Sequence, residues 1–268
     1  MTGLPGSLAD FGPAALSAVV VAAYLVVGEP LVGHVLHRRF ESRLRTDPGA
    51  RRSFYARLLV LEWGLAVLAL VVWLAAPGVD AGAVGLRWPQ SWPGPLTTAA
   101  TVLVLGFVVV STRALRSGAL ARAAAEQVRR PGHPPPARGR HSEPAVHATL
   151  ALLPRTTAER RLFTVVGVTA GICEEWLYRG FLLAVLAAVG GGLPTPVLVV
   201  LGAVAFGLAH AYQGVAGIVT TGVLGGVMAA LYLGTGSLLL PVVLHALVDL
   251  RFLLVPASAL PDVARGTA

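Results

Sequence analysis

Long apolar runs separated by short polar segments dominate the sequence. Each run is close to the roughly 20 apolar residues that a helix needs to cross a bilayer, within a range of about 17–25. We therefore predict an all-α protein, a polytopic transmembrane helical bundle of about seven spans. The fifth and sixth runs are the least clearly divided, since only Tyr212 and Gln213 separate them. The seven runs cover residues 12–36, 57–76, 96–115, 162–189, 195–211, 214–233 and 237–255.

The composition supports an integral membrane protein. Hydrophobic residues make up 55% of the 268 residues and charged residues 13%, whereas about 25% of a soluble domain is charged. The net charge of +8 comes from arginine alone, because the chain contains no lysine. In a membrane protein such arginines mark loops that face anionic lipid, so we expect a lipid bilayer and no nucleic acid as partner. The absence of lysine indicates a GC-rich genome and hence a bacterium.

The arginines also predict the orientation in the membrane. The first loop, HRRFESRLRTDPGARRSFYAR, and the third loop are basic, whereas the second loop has only Arg87 against Asp80. The positive-inside rule then places the first and third loops in the cytoplasm. The N-terminus is accordingly expected outside, in a protein of the bacterial cytoplasmic membrane.

A Pro-rich basic stretch in the third loop, RRPGHPPPARGRHSEP, separates a front half from a back half. Such a composition without apolar periodicity is typical of a flexible linker. His133, His141 and His147 in or beside it are expected to be solvated rather than to bind metal. The predicted divisions are an N-terminal three-helix membrane segment at 1–117, a basic Pro-rich cytoplasmic loop at 118–161, a four-helix core at 162–255 and a flexible tail at 256–268.

Several ionisable residues interrupt the apolar runs of the back half, among them six that could act together, in a region where an unpaired charge costs about 2.5–3.5 kcal/mol or more. Residues four apart share a helix face, so one acid–base pair and one His–Asp pair can form within single helices. Glu174 points about 100° away from Glu175 and has no basic residue one turn away on its own helix. Its partner must therefore come from another helix. The residues are Glu174, Glu175, Arg179, His210, His245 and Asp249.

Other polar residues in the runs are expected to have structural roles. Glu29 and Glu62 lie near the predicted cytoplasmic ends of the first two runs. We expect them to pair with nearby arginines, namely Arg38, Arg39 or Arg57. Cys173 is the only cysteine, so the chain cannot form an intrachain disulfide. In an apolar helix its thiol is expected to be inert.

Three motifs on separate runs resemble the signatures of one family. They are E-E-x-x-x-R at 174–179, F-x-x-x-H at 206–210 and H-x-x-x-D at 245–249. In order and spacing they are similar to those of the CPBP group, the CAAX prenyl endopeptidase-type and bacteriocin-processing intramembrane proteases, also called the ABI family. The resemblance covers about residues 162–253, and the front half carries no such signature.

The resemblance implies an intramembrane endopeptidase that hydrolyses a peptide bond with a Glu-activated water in a cytoplasm-facing cavity. Glu174 would activate the water and His210 would help to hold it. The catalytic candidates are Glu174, Glu175, His210, His245 and Asp249, with Arg179 and Phe206 in support.

The resemblance does not determine whether the site binds a metal cofactor. A divalent metal such as zinc would take Glu174, His210, His245 and Asp249 as its ligands. A metal-free mechanism would use the same residues, and the H-E-x-x-H pattern of zincins is absent. The substrate is expected to be a peptide or a membrane protein, and the sequence does not determine the oligomeric state.

Two other functions fit the same residues. A non-catalytic member of the family, an immunity factor or a membrane chaperone, would bind peptides in the same cavity. A proton-coupled transporter would use Glu174 and His245 as a relay, although the halves show no repeat and no paired broken helices. Polar side chains that only bond across helices would explain any one of these residues, but less readily all six.

Overall fold

The computed structural model describes residues 3–44, 46–91, 94–118, 150, 152–256 and 260. Within these ranges the chain forms seven helices of 12 residues or more and no β-strand, which confirms the prediction of an all-α bundle. We number the helices in chain order. They are α1, Leu8–Leu44; α2, Ala50–Leu74; α3, Pro95–Arg116; α4, residues 157–189; α5, Thr195–Ala209; α6, Gly214–Thr235; and α7, Leu239–Leu250.

Four of the helical segments are long and apolar enough to cross a membrane. They are α1, α2, α3 and the segment Ala211–Thr235, which includes α6. Helix α5 is apolar but has only 15 residues, and α4 carries the charged residues of the first motif. These helices support an integral membrane protein, while the count of seven spans stays a prediction.

Local signals in the sequence explain where several helices begin and end. The Thr156 hydroxyl accepts a hydrogen bond from Glu159 N, and the Glu159 carboxylate accepts one from Thr156 N, at 3.2 and 3.0 Å. This capping box starts α4 five residues before the predicted start of the run. Helix α3 begins with Pro95, and α6 ends at Gly236 in the left-handed conformation, with φ of 68°.

Two helices contain a π-helical turn. In α1 it covers Tyr24–Gly28, and in α4 it covers Trp176–Leu182, between Thr157–Glu175 and Leu183–Val189. A π turn inserts one extra residue, which rotates the following side chains by about 100° relative to a regular α-helix. The turn in α4 therefore fixes the directions of Tyr178 and Arg179 relative to Glu174.

Glycines bring the helices of the back half close together. A Cβ on Gly171 would lie 3.0 Å from both Ala246 N and Val242 O, so α4 packs directly against the backbone of α7. In the same way, a Cβ on Gly222 would lie 3.3 Å from Ala203 O, and one on Gly226 would lie 3.2 Å from Ala203 Cβ. Helices α5 and α6 thus approach each other closely at these small residues.

The loop between α2 and α3 closes one end of the bundle. Leu238 N donates to Gly85 O at 3.0 Å, and Arg87 Nε donates to Gly236 O at 3.0 Å. The Ser237 hydroxyl donates to Arg87 O at 2.5 Å. These bonds tie the loop to the turn between α6 and α7, at the end of the bundle opposite the arginine-rich loops.

Most of the Pro-rich loop at 118–161 and of the tail at 256–268 lies outside the described residues. His133, His141 and His147 are among the residues outside them. The predictions for these segments, and the domain limits, therefore stay predictions.

Candidate active site

The first motif faces the other two across the bundle. Glu174 Oε2 lies 4.0 Å from His210 Nε2 and 3.8 Å from His245 Nε2. Glu174 belongs to α4, His210 directly follows α5 and His245 belongs to α7. Three separate helices thus bring a carboxylate and two imidazoles together.

Glu175 points in a different direction and is fully buried. Its Oε1 accepts a hydrogen bond from His245 Nδ1 at 2.7 Å and lies 3.2 Å from Arg179 Nη1. A buried charge requires such partners, since a lone charge is strongly disfavoured away from water. Arg179 is the partner that the spacing predicts, whereas the bond to His245 depends on how α4 and α7 face each other.

Both imidazoles are held by their Nδ1 atoms. His210 Nδ1 lies 2.9 Å from the carbonyl oxygen of Phe206, which can only accept, so this nitrogen carries the proton. His245 Nδ1 donates in the same way to the Glu175 carboxylate. When neutral, each ring therefore presents the lone pair of Nε2 toward Glu174.

Phe206 and Arg179 form the support behind the histidines. The Phe206 ring lies 4.7 Å from the ring of His210 and 5.8 Å from that of His245, measured between centroids. The Arg179 guanidinium carbon lies 4.1 Å from the centroid of the same ring, and Arg179 Nη2 donates to Gly225 O at 3.3 Å. Arg179 is only 2% exposed, so it acts from within the protein.

Asp249 lies at the edge of the site. Its Oδ2 is 3.9 Å from His245 Nε2, one turn away on α7, and its side chain is 29% exposed. This distance is too long for a direct hydrogen bond, which needs about 2.7–3.2 Å. Asp249 can therefore act on His245 electrostatically or through a water molecule.

A cavity of about 510 Å³ opens beside these residues. Its walls come from α1, α2, α4, the turn between α5 and α6, and α7. Glu174, His210, His245 and Asp249 all line it, whereas the buried Cys173 does not. Glu174 Oε2 is buried and has no hydrogen-bond partner among the described residues.

Two carboxylates from the front half also line the cavity, contrary to the sequence prediction for Glu29 and Glu62. Glu29 Oε2 accepts a hydrogen bond from the Tyr178 hydroxyl at 2.7 Å. Glu62 Oε2 is buried without a hydrogen-bond partner among the described residues. The predicted pairing with arginine is wrong: Arg38, Arg39 and Arg57 are exposed on the surface.

The physical reason is distance and helix rotation. Arg38 is nine residues from Glu29, which is about 13 Å along a helix. Glu62 has Arg57 nearer in sequence, but α2 turns Glu62 toward the cavity and Arg57 toward the surface. One feature of the sequence could have predicted that Glu29 and Glu62 line the cavity: each is an acid inside an apolar run, and such an acid indicates a functional site by default.

The side chains as placed do not form a ligand set for zinc. Among the described residues no group of three His, Cys, Asp or Glu side chains is arranged to hold a metal ion. Tetrahedral zinc with bonds of about 2.0–2.2 Å needs neighbouring donors about 3.3–3.6 Å apart, and the separations from Glu174 to His210 and His245 are 4.0 and 3.8 Å. The zinc prediction therefore remains to be tested by metal analysis of the purified protein, and no step below depends on a metal.

Comparison with protein families assigns the segment that contains these residues. The family model described as type II CAAX prenyl endopeptidase Rce1-like matches residues 157–251. This segment is an Rce1-like domain of the CPBP family. The Rce1-like domain contains all three motifs, whereas Glu29 and Glu62 lie outside it. No curated protein and no solved structure matches the chain.

The match supports an intramembrane protease function of the CAAX type. The helices of the Rce1-like domain place Glu174, His210 and His245 together, and those of the front half complete the cavity around them. The three motif residues therefore belong to the matched segment, whereas part of the cavity wall does not.

Proposed function

We propose that the chain is an intramembrane endopeptidase in which Glu174 activates a water molecule to hydrolyse a peptide bond. One observation carries the proposal: Glu174 Oε2 is buried, unpartnered among the described residues, and faced by two imidazole nitrogens on a cavity wall. A buried acceptor of this kind has to be satisfied by a molecule in the cavity.

The geometry suits a shared water molecule. The separations of 4.0 and 3.8 Å exceed a direct hydrogen bond. Two groups that bond to the same water through distances of about 2.8 Å lie about 4–4.5 Å apart. A water placed between Glu174 and the histidines would donate one hydrogen to the carboxylate and the other to an Nε2 lone pair.

In the chemical step Glu174 takes a proton from this water as its oxygen forms a bond to the substrate carbonyl carbon. The tetrahedral intermediate then expels the amine, which receives the proton from the Glu174 carboxylic acid as the C–N bond breaks. General base and acid catalysis by one positioned carboxylate contributes typically 10²–10⁴-fold to the rate.

The histidines and their partners control the charges during this step. His210, fixed by the Phe206 carbonyl, orients the water through Nε2. If His245 carries a proton on Nε2 before the step, the buried Glu175 carboxylate at 2.7 Å balances its charge. Its Nε2–H can then donate to the oxyanion and keeps its proton throughout. Arg179 in turn balances the charge of Glu175 from the other side, at 3.2 Å.

The substrate is proposed to enter from the cytoplasmic side. The cavity wall includes Phe54 and Phe163, which follow the arginine pairs at 51–52 and 160–161 in the sequence. Since basic residues face the cytoplasm, this end of the cavity is the cytoplasmic one and the N-terminus lies outside. The substrate class is a peptide or a membrane protein in a bacterial cytoplasmic membrane.

The test compares cells that produce the wild-type protein with cells that produce Glu174→Gln. Peptides that appear only with the wild type identify the substrate, and purified protein is then assayed on it. Glu174→Gln and His210→Gln are each expected to lower the cleavage rate at least about 100-fold. Glu41→Gln is the matched control, because it makes the same chemical change on a partly exposed carboxylate outside the cavity wall.

Equal cleavage by the wild type and Glu174→Gln would refute the mechanism. Peptides that bind equally well to the wild type and to Glu174→Gln, without any product, would instead favour the non-catalytic immunity factor or chaperone. Circular dichroism of each purified variant checks that it has kept its helical content.

A further inference from the structure

The hydroxyl group of Tyr178 connects the front half of the chain to the candidate site. It donates to Glu29 Oε2 at 2.7 Å and lies 3.2 Å from the carbonyl oxygen of Leu25. Leu25 belongs to the π turn of α1 and Glu29 directly follows it, while Tyr178 belongs to the π turn of α4. The two π turns therefore meet at this hydrogen bond, which the proposed chemistry does not use.

The ring of Tyr178 carries the connection onward to Phe206. The two rings are perpendicular, with centroids 5.2 Å apart and an interplanar angle of 84°. This edge-to-face arrangement is the favourable one for aromatic pairs. Phe206 also accepts the Nδ1–H of His210 through its carbonyl group and touches the His210 ring. The position of Phe206 therefore determines where His210 Nε2 points.

We propose that Glu29 is a positioning residue, which anchors Tyr178 and through Phe206 keeps His210 aligned with Glu174. The inference rests on the proposed function, because the alignment matters for the rate only if the site is catalytic. A carboxylate acceptor suits this role, since its hydrogen bonds are shorter and stronger than those to a neutral group. Helix α1 also runs close to the end of α5: a Cβ on Gly33 would lie 3.7 Å from Ala209 O.

The π turns explain why this contact exists. Without the extra residue in α4, the side chain of Tyr178 would be rotated by about 100° and would leave α1. π turns inside α-helices occur frequently at functional sites. Here two of them face each other next to the residues that the family motifs provide. The front half thus supplies a support for His210 that lies outside the matched segment.

The test uses Glu29→Leu, Tyr178→Phe and their double variant. Glu29→Gln keeps a side-chain oxygen as acceptor and serves as the conservative variant. Tyr232→Phe is the matched control: Tyr232 is as buried as Tyr178, at 1% exposed, and its hydroxyl donates to Ala83 O at 3.1 Å, away from the site. All variants are purified as the full chain and placed in lipid nanodiscs.

Two readouts are combined. The first is kcat and KM on the substrate identified by the peptide comparison. The second is the ¹⁵N NMR signal of the His210 ring, which is assigned among the 7 histidines by its loss in His210→Gln. The NMR signal reports the hydrogen bond and environment of His210 whether or not the protein cleaves a peptide.

We expect Glu29→Leu and Tyr178→Phe each to lower kcat about 10–100-fold while KM changes by less than about twofold, as a displacement near the site can do. The double variant should be no slower than the slower single variant, since both act through one contact. Glu29→Gln should stay within about threefold of the wild type, because it retains the hydrogen bond. The His210 signal should move in the Leu and Phe variants and stay in place in Glu29→Gln and Tyr232→Phe.

An unchanged His210 signal in both Glu29→Leu and Tyr178→Phe would overturn the proposal. So would losses in kcat that multiply in the double variant, because Glu29 and Tyr178 would then act independently. A wild-type protein without cleavage activity would refute the proposed function alone, and the NMR comparison would still decide the positioning role.

Discussion

The buried pair of Glu175 and Arg179 offers the sharpest test of how charges are tolerated in the middle of this bundle. The perturbation is Arg179→Met, which keeps much of the side-chain volume and removes the charge. Glu175 is 0% exposed and Arg179 2% exposed. The variant therefore leaves a carboxylate in the interior with His245 as its only neighbouring hydrogen-bond donor among the described residues.

The magnitude follows from the geometry. At the observed separation of 3.2 Å, two unit charges attract each other by about 5 kcal/mol if the effective dielectric constant is about 20. Removing one partner of a buried pair typically costs about 3–5 kcal/mol. The contact of Arg179 with the Phe206 ring at 4.1 Å adds about 1 kcal/mol or more. We therefore expect Arg179→Met to lower the free energy of unfolding by about 4–6 kcal/mol.

The assay is a double-mutant cycle with Glu175→Gln in purified protein. Unfolding in mild detergent by added denaturing detergent is followed by circular dichroism. Glu175→Gln alone should also destabilise strongly, since it leaves the guanidinium group buried and uncompensated. The double variant should lose less than the sum of the two, by about 2–3 kcal/mol, because no unpaired charge remains.

Arg113→Met is the control, since Arg113 is exposed on α3, and it should change stability by no more than about 0.5 kcal/mol. Losses that simply add in the double variant would show that the two residues do not stabilise each other. The conclusion that this pair offsets the burial of both charges would then be wrong.

Two further predictions concern the packing of the site. Gly171→Ala should lower the unfolding free energy by about 1–3 kcal/mol and reduce cleavage, because its methyl group would press on the backbone of α7. Gly106→Ala is the control, since a Cβ there meets nothing within 4 Å, and it should lower neither stability nor cleavage. Glu62→Leu should raise the unfolding free energy by about 1–2 kcal/mol, since it removes a buried carboxylate oxygen without a hydrogen-bond partner among the described residues. Detergent unfolding measures both effects; a neutral Gly171→Ala or a destabilising Glu62→Leu would contradict them.

Contacts within one helix could be predicted from the sequence. The spacing of four residues places Glu175 next to Arg179 and His245 next to Asp249, and both pairs are present, at 3.2 and 3.9 Å. The different directions of Glu174 and Glu175, about 100° apart, follow from the same helical geometry. The relation of His245 to Asp249 depends only on the rise and rotation of a regular helix, and the contact of Glu175 with Arg179 is present although Arg179 lies in the π turn.

Contacts between helices could not be predicted in the same way. The bond from His245 to Glu175 depends on the rotation of α7 about its own axis, which glycine packing at Gly171 helps to set. The direction of Glu62 depends likewise on the rotation of α2. The sequence pattern does not reveal the π turns, since their glycines, Gly28 and Gly180, are only two of 31 in the chain. The turn in α4 determines where Tyr178 points.

The composite origin of the cavity wall has a consequence for how such proteins diversify. The proposed reacting groups come from the segment that matches the family, whereas Tyr24, Val32, Leu61 and Leu65, among other wall residues, come from α1 and α2. Different front helices attached to the same back half would reshape the chamber and leave the acid and the two imidazoles as they are, as long as they keep the contact from Glu29 to Tyr178. Selectivity and chemistry can then evolve on separate stretches of one chain.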